Sequence, residues 1–191
     1  MPTIIGIAGS LRRASYNRML LRAIAESLPP GTTLEIASIA DIPLYNADIE
    51  TEQGIPAPVQ QLKDRIAAAD GLLLATPEYN NSMSGVLKNT IDWLSRPPSD
   101  IGRVFKGLPT GFIGATPGIG GTLLGQSAWL PVLRILGVLS FFEGRVIVPG
   151  AAKVFDDEGR IVDTATAERV REYAQNFATF VEQRRRSRRA G

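Results

Sequence analysis

The chain alternates short, wholly apolar runs with longer stretches in which apolar residues return every three or four positions. The runs at 3–8, 71–75 and 110–115 contain no charged residue, which is the pattern of strands covered on both faces. A further strand is predicted at 33–38, and a fifth within 138–148 that can divide at Glu143-Gly144. Helical spacing is predicted over 15–28, where Met19, Leu20, Ala23, Ile24 and Leu28 share a face until Pro29-Pro30-Gly31 ends the helix. The same spacing continues from Pro58 through Val59, Leu62 and Ile66, then over 85–94, 122–136 and 166–183. In the last of these, Val170, Tyr173, Ala174, Phe177, Phe180 and Val181 face inward. Two stretches read as irregular: an acidic surface excursion over 41–58, with Asp48, Glu50 and Glu52, and a loop rich in Pro and Gly leading to Pro109.

Strands alternating with helices, joined by right-handed crossovers, predict an α/β three-layer sandwich around a five-stranded parallel sheet in the flavodoxin-like order 2-1-3-4-5. No repeat or linker interrupts the pattern, so residues 1–183 are expected to form one domain, with 184–191 a disordered basic tail. In open parallel sheets, ligands bind outside the carboxyl ends of the strands, where strand order reverses. Here that point lies between the first and third strands. The loops leaving the first, third and fourth strands, 10–17, 76–84 and 116–121, are also the most unusual in the chain.

The first of them reads Gly9-Ser10-Leu11-Arg12-Arg13-Ala14-Ser15-Tyr16-Asn17 and opens a helix. The first amides of a helix have no partners of their own and carry partial positive charge. Small hydroxyl and amide side chains add donors there, and a guanidinium meets phosphate in a bidentate way. The segment therefore has the chemistry of a cradle for a terminal phosphate. It is not a P-loop, because no Lys-Ser or Lys-Thr pair occurs in the chain, and a dinucleotide fingerprint needs three glycines at fixed offsets, whereas Gly9 is followed by bulky Leu11, Arg12 and Arg13. The alternative is a polar turn with Ser15 as N-cap.

Composition narrows the chemistry. The 191 residues include neither Cys nor His, which removes disulfides, thiolate catalysis and the commonest general base and metal ligand. Carboxylates, hydroxyls, Lys, Tyr or a cofactor must do the work. The net charge of +2 comes from Arg184, Arg185, Arg186, Arg188 and Arg189; without them the chain is at −3, so no nucleic-acid face is expected. The opening apolar stretch is too short for a signal peptide, and Pro131, Arg134 and Gly137 break the run at 128–142, so a cytoplasmic protein without membrane insertion is expected.

The loop after the third strand reads Thr76-Pro77-Glu78-Tyr79-Asn80-Asn81-Ser82-Met83-Ser84-Gly85-Val86-Leu87-Lys88-Asn89-Thr90-Ile91-Asp92-Trp93-Leu94. It resembles the Pro-Glu-Tyr-Asn segment and following Leu-Lys-Asn-x-Ile-Asp-Trp helix of NADPH-dependent FMN reductases, a family that includes chromate, quinone and azo-dye reductases. The first loop is similar to that family's Gly-Ser-Leu-Arg-x-x-Ser-x-Asn phosphate motif. Met83-Ser84 departs from the family, where many members place an apolar residue and Pro before the helix-opening glycine.

The resemblance implies an FMN-dependent oxidoreductase that takes electrons from NADPH or NADH and passes them, in a ping-pong cycle, to quinone, azo, chromate, ferric or flavin acceptors. Ser10, Arg12, Ser15, Tyr16 and Asn17 would hold the FMN phosphate. Pro77, Glu78, Tyr79 and Asn80 would lie along the isoalloxazine, Ser82 and Gly85 would admit the ring to the backbone, and Thr116, Gly118, Gly120 and Gly121 would close the far side. No protein residue is expected to be catalytic, since the flavin carries the chemistry. Lys88, Asn89, Asp92 and Trp93 read better as helix packing, and Arg13, Arg96 and Arg103 better as surface residues than as contacts for the extra phosphate of NADPH. A homodimer or homotetramer is also implied, with Leu139, Phe141, Phe142 and apolar residues of 43–55 as interface candidates, although core burial is the stronger reading for the two Phe residues. The rival functions are a flavodoxin-type electron carrier that does not oxidise NAD(P)H, and a non-redox nucleotide-binding regulator on the same fold.

Overall fold

The structure is a computed structural model that describes residues 1–190, with side chains through Ser187. Among the described residues, six strands form one parallel sheet: β1 (Thr3–Ala8), β2 (Thr33–Ala37), β3 (Gly71–Ala75), β4 (Pro109–Ala115), β5 (Leu139–Ser140) and β6 (Val146–Val148). The order is β2-β1-β3-β4, with β5 and β6 both lying along the outer edge of β4. This is the flavodoxin-like arrangement, with the fifth position shared by two short strands. Central β3 is buried at every residue, whereas edge strand β2 alternates exposed and half-buried positions.

Helices cover both faces. On one side α1 (Tyr16–Ser27) and α9 (Thr164–Ala190) bury Leu20, Leu21, Ile24, Phe177 and Val181. On the other, α3 (Ala57–Ala68), α4 (Gly85–Leu94) and α7 (Leu130–Leu136) bury Leu62, Ile66, Ile91, Trp93 and Leu133. The apolar spacing in the sequence marks these faces correctly because burial is what that spacing serves.

Several boundaries differ from expectation, each for a local reason. The excursion over 41–58 is not irregular throughout. It holds α2 (Ala47–Gln53), capped by Asn46, whose Oδ1 accepts from Asp48 N at 2.9 Å, and ended by Gly54 at φ 80°. No residue of α2 is buried, so its sequence carries no apolar stripe and only the cap and the early acids betray it. The Pro- and Gly-rich loop likewise contains a 3-10 turn at Pro98–Asp100 and the single-turn α5 (Ile101–Val104).

The helix expected over 122–136 is two, α6 (Leu123–Ser127) and α7, joined at Trp129. Pro131 has no amide with which to continue the ladder from α6, so it stands in the first turn of α7 and the break falls just before it. In the fifth strand, five residues, 141–145, stand opposite only two on β4, because Thr110 pairs with Ser140 and Ile113 with Val146. That surplus splits β5 from β6. A further short helix, α8 (Ala151–Val154), follows β6.

The tail expected to be disordered instead carries α9 on to Ala190; Gly191 lies outside the described residues. Glu182 accepts from Arg185 and Arg186 at 2.7 Å each, and basic groups suit a helix C-terminus. Lys63 of α3 is fully buried; its ammonium donates to Arg96 O and pairs with Asp100 Oδ2 at 2.6 Å. Asp100 in turn pairs with Arg103, which also reaches Asp64.

Candidate active site

β1, β3 and β4 end side by side, so the loops leaving them meet at one edge of the sheet. Gly9 marks the contact between the first two. Its amide donates to Ala75 O at 2.8 Å, and a Cβ there would stand 2.8 Å from both Pro77 Cδ and Ser84 Oγ. A larger residue would force the two loops apart.

In the first loop Ser15 is buried as the N-cap of α1, its Oγ accepting from Arg18 N at 3.3 Å and its carbonyl from the amides of Arg18 and Met19 at 3.0 Å. The amides of Tyr16 and Asn17 are left without an intrahelical acceptor. Asn17 is also buried: Nδ2 donates to Ala115 O at 2.9 Å and Oδ1 accepts from Ala115 N at 3.0 Å, which stitches the start of α1 to the end of β4. The Tyr16 ring stacks on Phe155 with centroids 5.9 Å apart. The side chains of Ser15, Tyr16 and Asn17 therefore each have a partner within the fold. Among the described residues, Ser10 and Arg12 have no side-chain partner, and both line a small hollow with Ser38 and Ala40.

The second loop is held from two sides. Thr76 is fully buried, donating to Pro77 O at 3.0 Å and accepting from Trp129 Nε1 at 3.1 Å. Pro77 is buried beside it, and Glu78 Oε2 accepts from Gly125 N at 2.8 Å. Tyr79 and Ser82 then exchange both backbone hydrogen bonds at 3.0 Å around Asn80 and Asn81, whose φ values of 51° and 59° make a type I′ hairpin turn. Asn tolerates that left-handed conformation better than most side chains. Tyr79 and Asn80 are exposed and Ser82 is half-buried.

Ser84 is fully buried and its Oγ has no partner. Gly85, which opens α4, is exposed, and a Cβ on it would meet nothing within 4 Å.

In the third loop Thr116 N donates to Val148 O, and Gly150 N to Gly118 O, each at 3.0 Å. Gly118 and Gly120 are exposed, and a Cβ on Gly120 would meet nothing within 4 Å. Gly121 differs. It is buried at φ 67° with the Ile147 side chain where its Cβ would point, so the fold itself demands that glycine.

The edge thus combines unpaired helix amides, a free hydroxyl and a guanidinium with glycines at 85 and 120 that no protein contact explains. A buried hydroxyl without a partner lies where the first two loops meet. These features fit a planar cofactor ending in phosphate, and FMN is such a group. Among the described residues no cluster of carboxylates could hold a metal ion, and no helix is long and apolar enough to cross a membrane.

Sequence reasoning missed Ser84, Gly125 and Trp129 as parts of this edge. A glycine inside a helical pattern was the available signal for Gly125. The helix after the second loop is structural, as read: Asn89 accepts from Tyr45 N and donates to Pro43 O, both at 2.8 Å, Trp93 donates to Pro43 O at 2.9 Å, and Lys88 pairs with Asp92. Arg96 is paired with Glu50, as Arg103 is with Asp100.

Comparison with known proteins agrees with this geometry. Residues 2–153 match the family model for NADPH-dependent FMN reductase. An NAD(P)H-dependent FMN reductase of Pseudomonas aeruginosa is 41% identical over 178 residues, covering 93% of this chain and 94% of that one. A 2-hydroxy-1,4-benzoquinone reductase from a Burkholderia species is 35% identical, covering 94% and 96%. The solved structure of a flavoenzyme NAD(P)H:(acceptor) oxidoreductase from Paracoccus denitrificans superposes with a TM-score of 0.85 at 30% identity, covering 96% of this chain and 99% of that one. The chain belongs to the NADPH-dependent FMN reductase family of oxidoreductases.

Proposed function

We propose that the chain oxidises NAD(P)H and delivers the electrons to quinone-type acceptors in a ping-pong cycle at the edge formed by the three loops. The observation that carries this reading is the meeting of the loops that leave β1 and β3, where Gly9 packs against Pro77 and Ser84 at the strand-order switch, beside glycines left open toward solvent. FMN, when bound, supplies the redox chemistry that a chain without His or Cys lacks. Ser10, Arg12 and the amides of Tyr16 and Asn17 would hold its phosphate, while Pro77, Tyr79, Asn80, Ser82, Gly85, Thr116, Gly118 and Gly120 would bound its ring. An open face imposes few demands on the acceptor, so azo compounds, chromate, ferric chelates and free flavin belong to the same proposal.

Anaerobic stopped-flow mixing of FMN-loaded protein with NADPH, and separately NADH, tests it. Rapid bleaching of the flavin absorbance, reversed by a quinone, is the expected result. Tight FMN binding with no bleaching by either nucleotide would replace it with the electron-carrier reading. Replacing Arg12 by Ala is expected to weaken FMN binding about tenfold, the scale of one hydrogen bond to a charged group. Titration of flavin fluorescence measures it, and unchanged affinity would remove Arg12 from the phosphate site.

Self-association is part of the same proposal. Ile135 is 77% exposed and Phe142 72%, and Phe142 borders a cavity of about 250 Å³ together with Leu123, Leu130 and Arg145. Of the two Phe residues expected in the core, Phe141 is buried there and Phe142 is not. Light scattering at micromolar concentration should give at least a dimer; a monomer there would remove the claim.

A further inference from the structure

We propose that Glu78 is a positioning residue, a carboxylate clip that fixes the Tyr79–Ser82 hairpin against the loop ending at Gly121 and so sets the slot between them. The proposal rests on the reading that FMN occupies this edge, and it assigns Glu78 a role other than lying along the ring.

The second and third loops come from different strands, and a limited set of contacts ties them together. At the root, Trp129 Nε1 donates to Thr76 Oγ1 at 3.1 Å. Further out, Gly125 N donates to Glu78 Oε2 at 2.8 Å. Gly125 lies in α6, the helix that the glycine-bearing loop enters, so this bond ties the second loop to the element that ends the third. The backbones also touch there: a Cβ on Gly125 would stand 3.2 Å from Pro77 O and 3.3 Å from both Glu78 Cα and Cβ. Beyond Glu78 the hydrogen bonds of the hairpin, among the described residues, are its own, the paired backbone bonds of Tyr79 and Ser82.

Glu78 is therefore the last anchor before the exposed turn. Losing it frees Tyr79 and Asn80 to move relative to Gly118 and Gly120. Because the bond needs an acceptor and not a charge, a carboxamide in the same place should hold the clip, whereas a methyl group cannot.

The test uses the full chain with Glu78→Ala, Glu78→Gln and Gly125→Ala, and reads two quantities that do not involve turnover. One is amide hydrogen exchange over residues 122–126 in flavin-free protein; the other is the FMN dissociation constant from fluorescence quenching. Glu78→Ala is expected to speed exchange at Gly125 and weaken FMN binding, each by about tenfold, the usual scale for losing one charge-assisted hydrogen bond. Glu78→Gln should stay within about threefold of the parent on both measures, since the acceptor survives. Gly125→Ala should weaken FMN binding even though every atom of Glu78 remains, because the added Cβ pushes the loops apart.

A Gln variant as damaged as the Ala variant would overturn the clip in favour of a role for the charge itself. Faster exchange with unaltered FMN affinity would overturn the link between clip and slot. Failure of the parent chain to take up FMN would sink the flavin reading and that link together, while the exchange data, collected without flavin, would still separate this from loss of the clip.

Discussion

Replacing Asn17 by Leu is expected to destabilise the flavin-free chain by about 2–5 kcal/mol, the sum of two buried groups losing their partners. The carboxamide gives Ala115 both a donor and an acceptor, and Ala115 is 2% exposed, so water cannot take its place without opening the end of β4. Leu matches the size of Asn and offers neither bond. Asn17→Asp is expected to be almost as harmful, because a carboxylate can still accept from Ala115 N but sets a second acceptor against Ala115 O. Urea unfolding of the flavin-free variants measures both. A loss below about 1 kcal/mol for Leu would show that the stitch between α1 and β4 is not a main support of the site edge. The same variants should bind FMN poorly, since the free amides of Tyr16 and Asn17 are placed by that stitch.

The buried charge network predicts an asymmetry between its two partners. Asp100→Ala leaves the fully buried Lys63 ammonium with Arg96 O as its remaining acceptor, and stranding such a charge costs about 3–5 kcal/mol. Lys63→Met removes the buried charge itself and leaves Asp100, whose side chain is 22% exposed, still paired with Arg103. It should cost only about 1–2 kcal/mol, the scale of a lost hydrogen bond at Arg96 O. Equal losses, or the reverse order, would show that Lys63 contributes mainly through packing. Acid should have a related effect. Hydrogen bonds from Arg103 and then Lys63 hold the Asp100 carboxyl well below the usual carboxylate range. Its folded value lies below its unfolded one, so this contribution is complete above about pH 4 and fades as pH falls below that. In Asp100→Ala the acid limb of the stability profile should be flatter.

The layered fold was readable because each buried strand is a charge-free run and each long helix carries an apolar stripe, both direct records of burial. Elements without buried residues left weaker marks. α2 has none, and its only signals are the Asn46 cap and early acids, so it passed for an irregular segment. The division of 122–136 follows from Pro131, a breaker visible in the sequence, yet the apolar spacing on either side is continuous enough to hide it. The extension of α9 through the arginines depends on pairs to Glu182 within a helix already docked on the sheet.

The sequence by itself determined the strand and helix order, hence the reversal point of the sheet, and with it which three loops share an edge. It also determined the chemical inventory: phosphate-type donors in the first loop, glycines in the third, and no residue able to replace a redox cofactor. Only the tertiary structure decided which of these side chains find partners within the fold. Ser15, Asn17, Glu78 and Gly121 have the residue types of a binding site, but their partners, Arg18, Ala115, Gly125 and Ile147, mostly lie far away in the chain. A hydroxyl, carboxamide or carboxylate serves equally well in a ligand contact or in a structural hydrogen bond. Which one it makes depends on what the fold brings within about 3 Å of it.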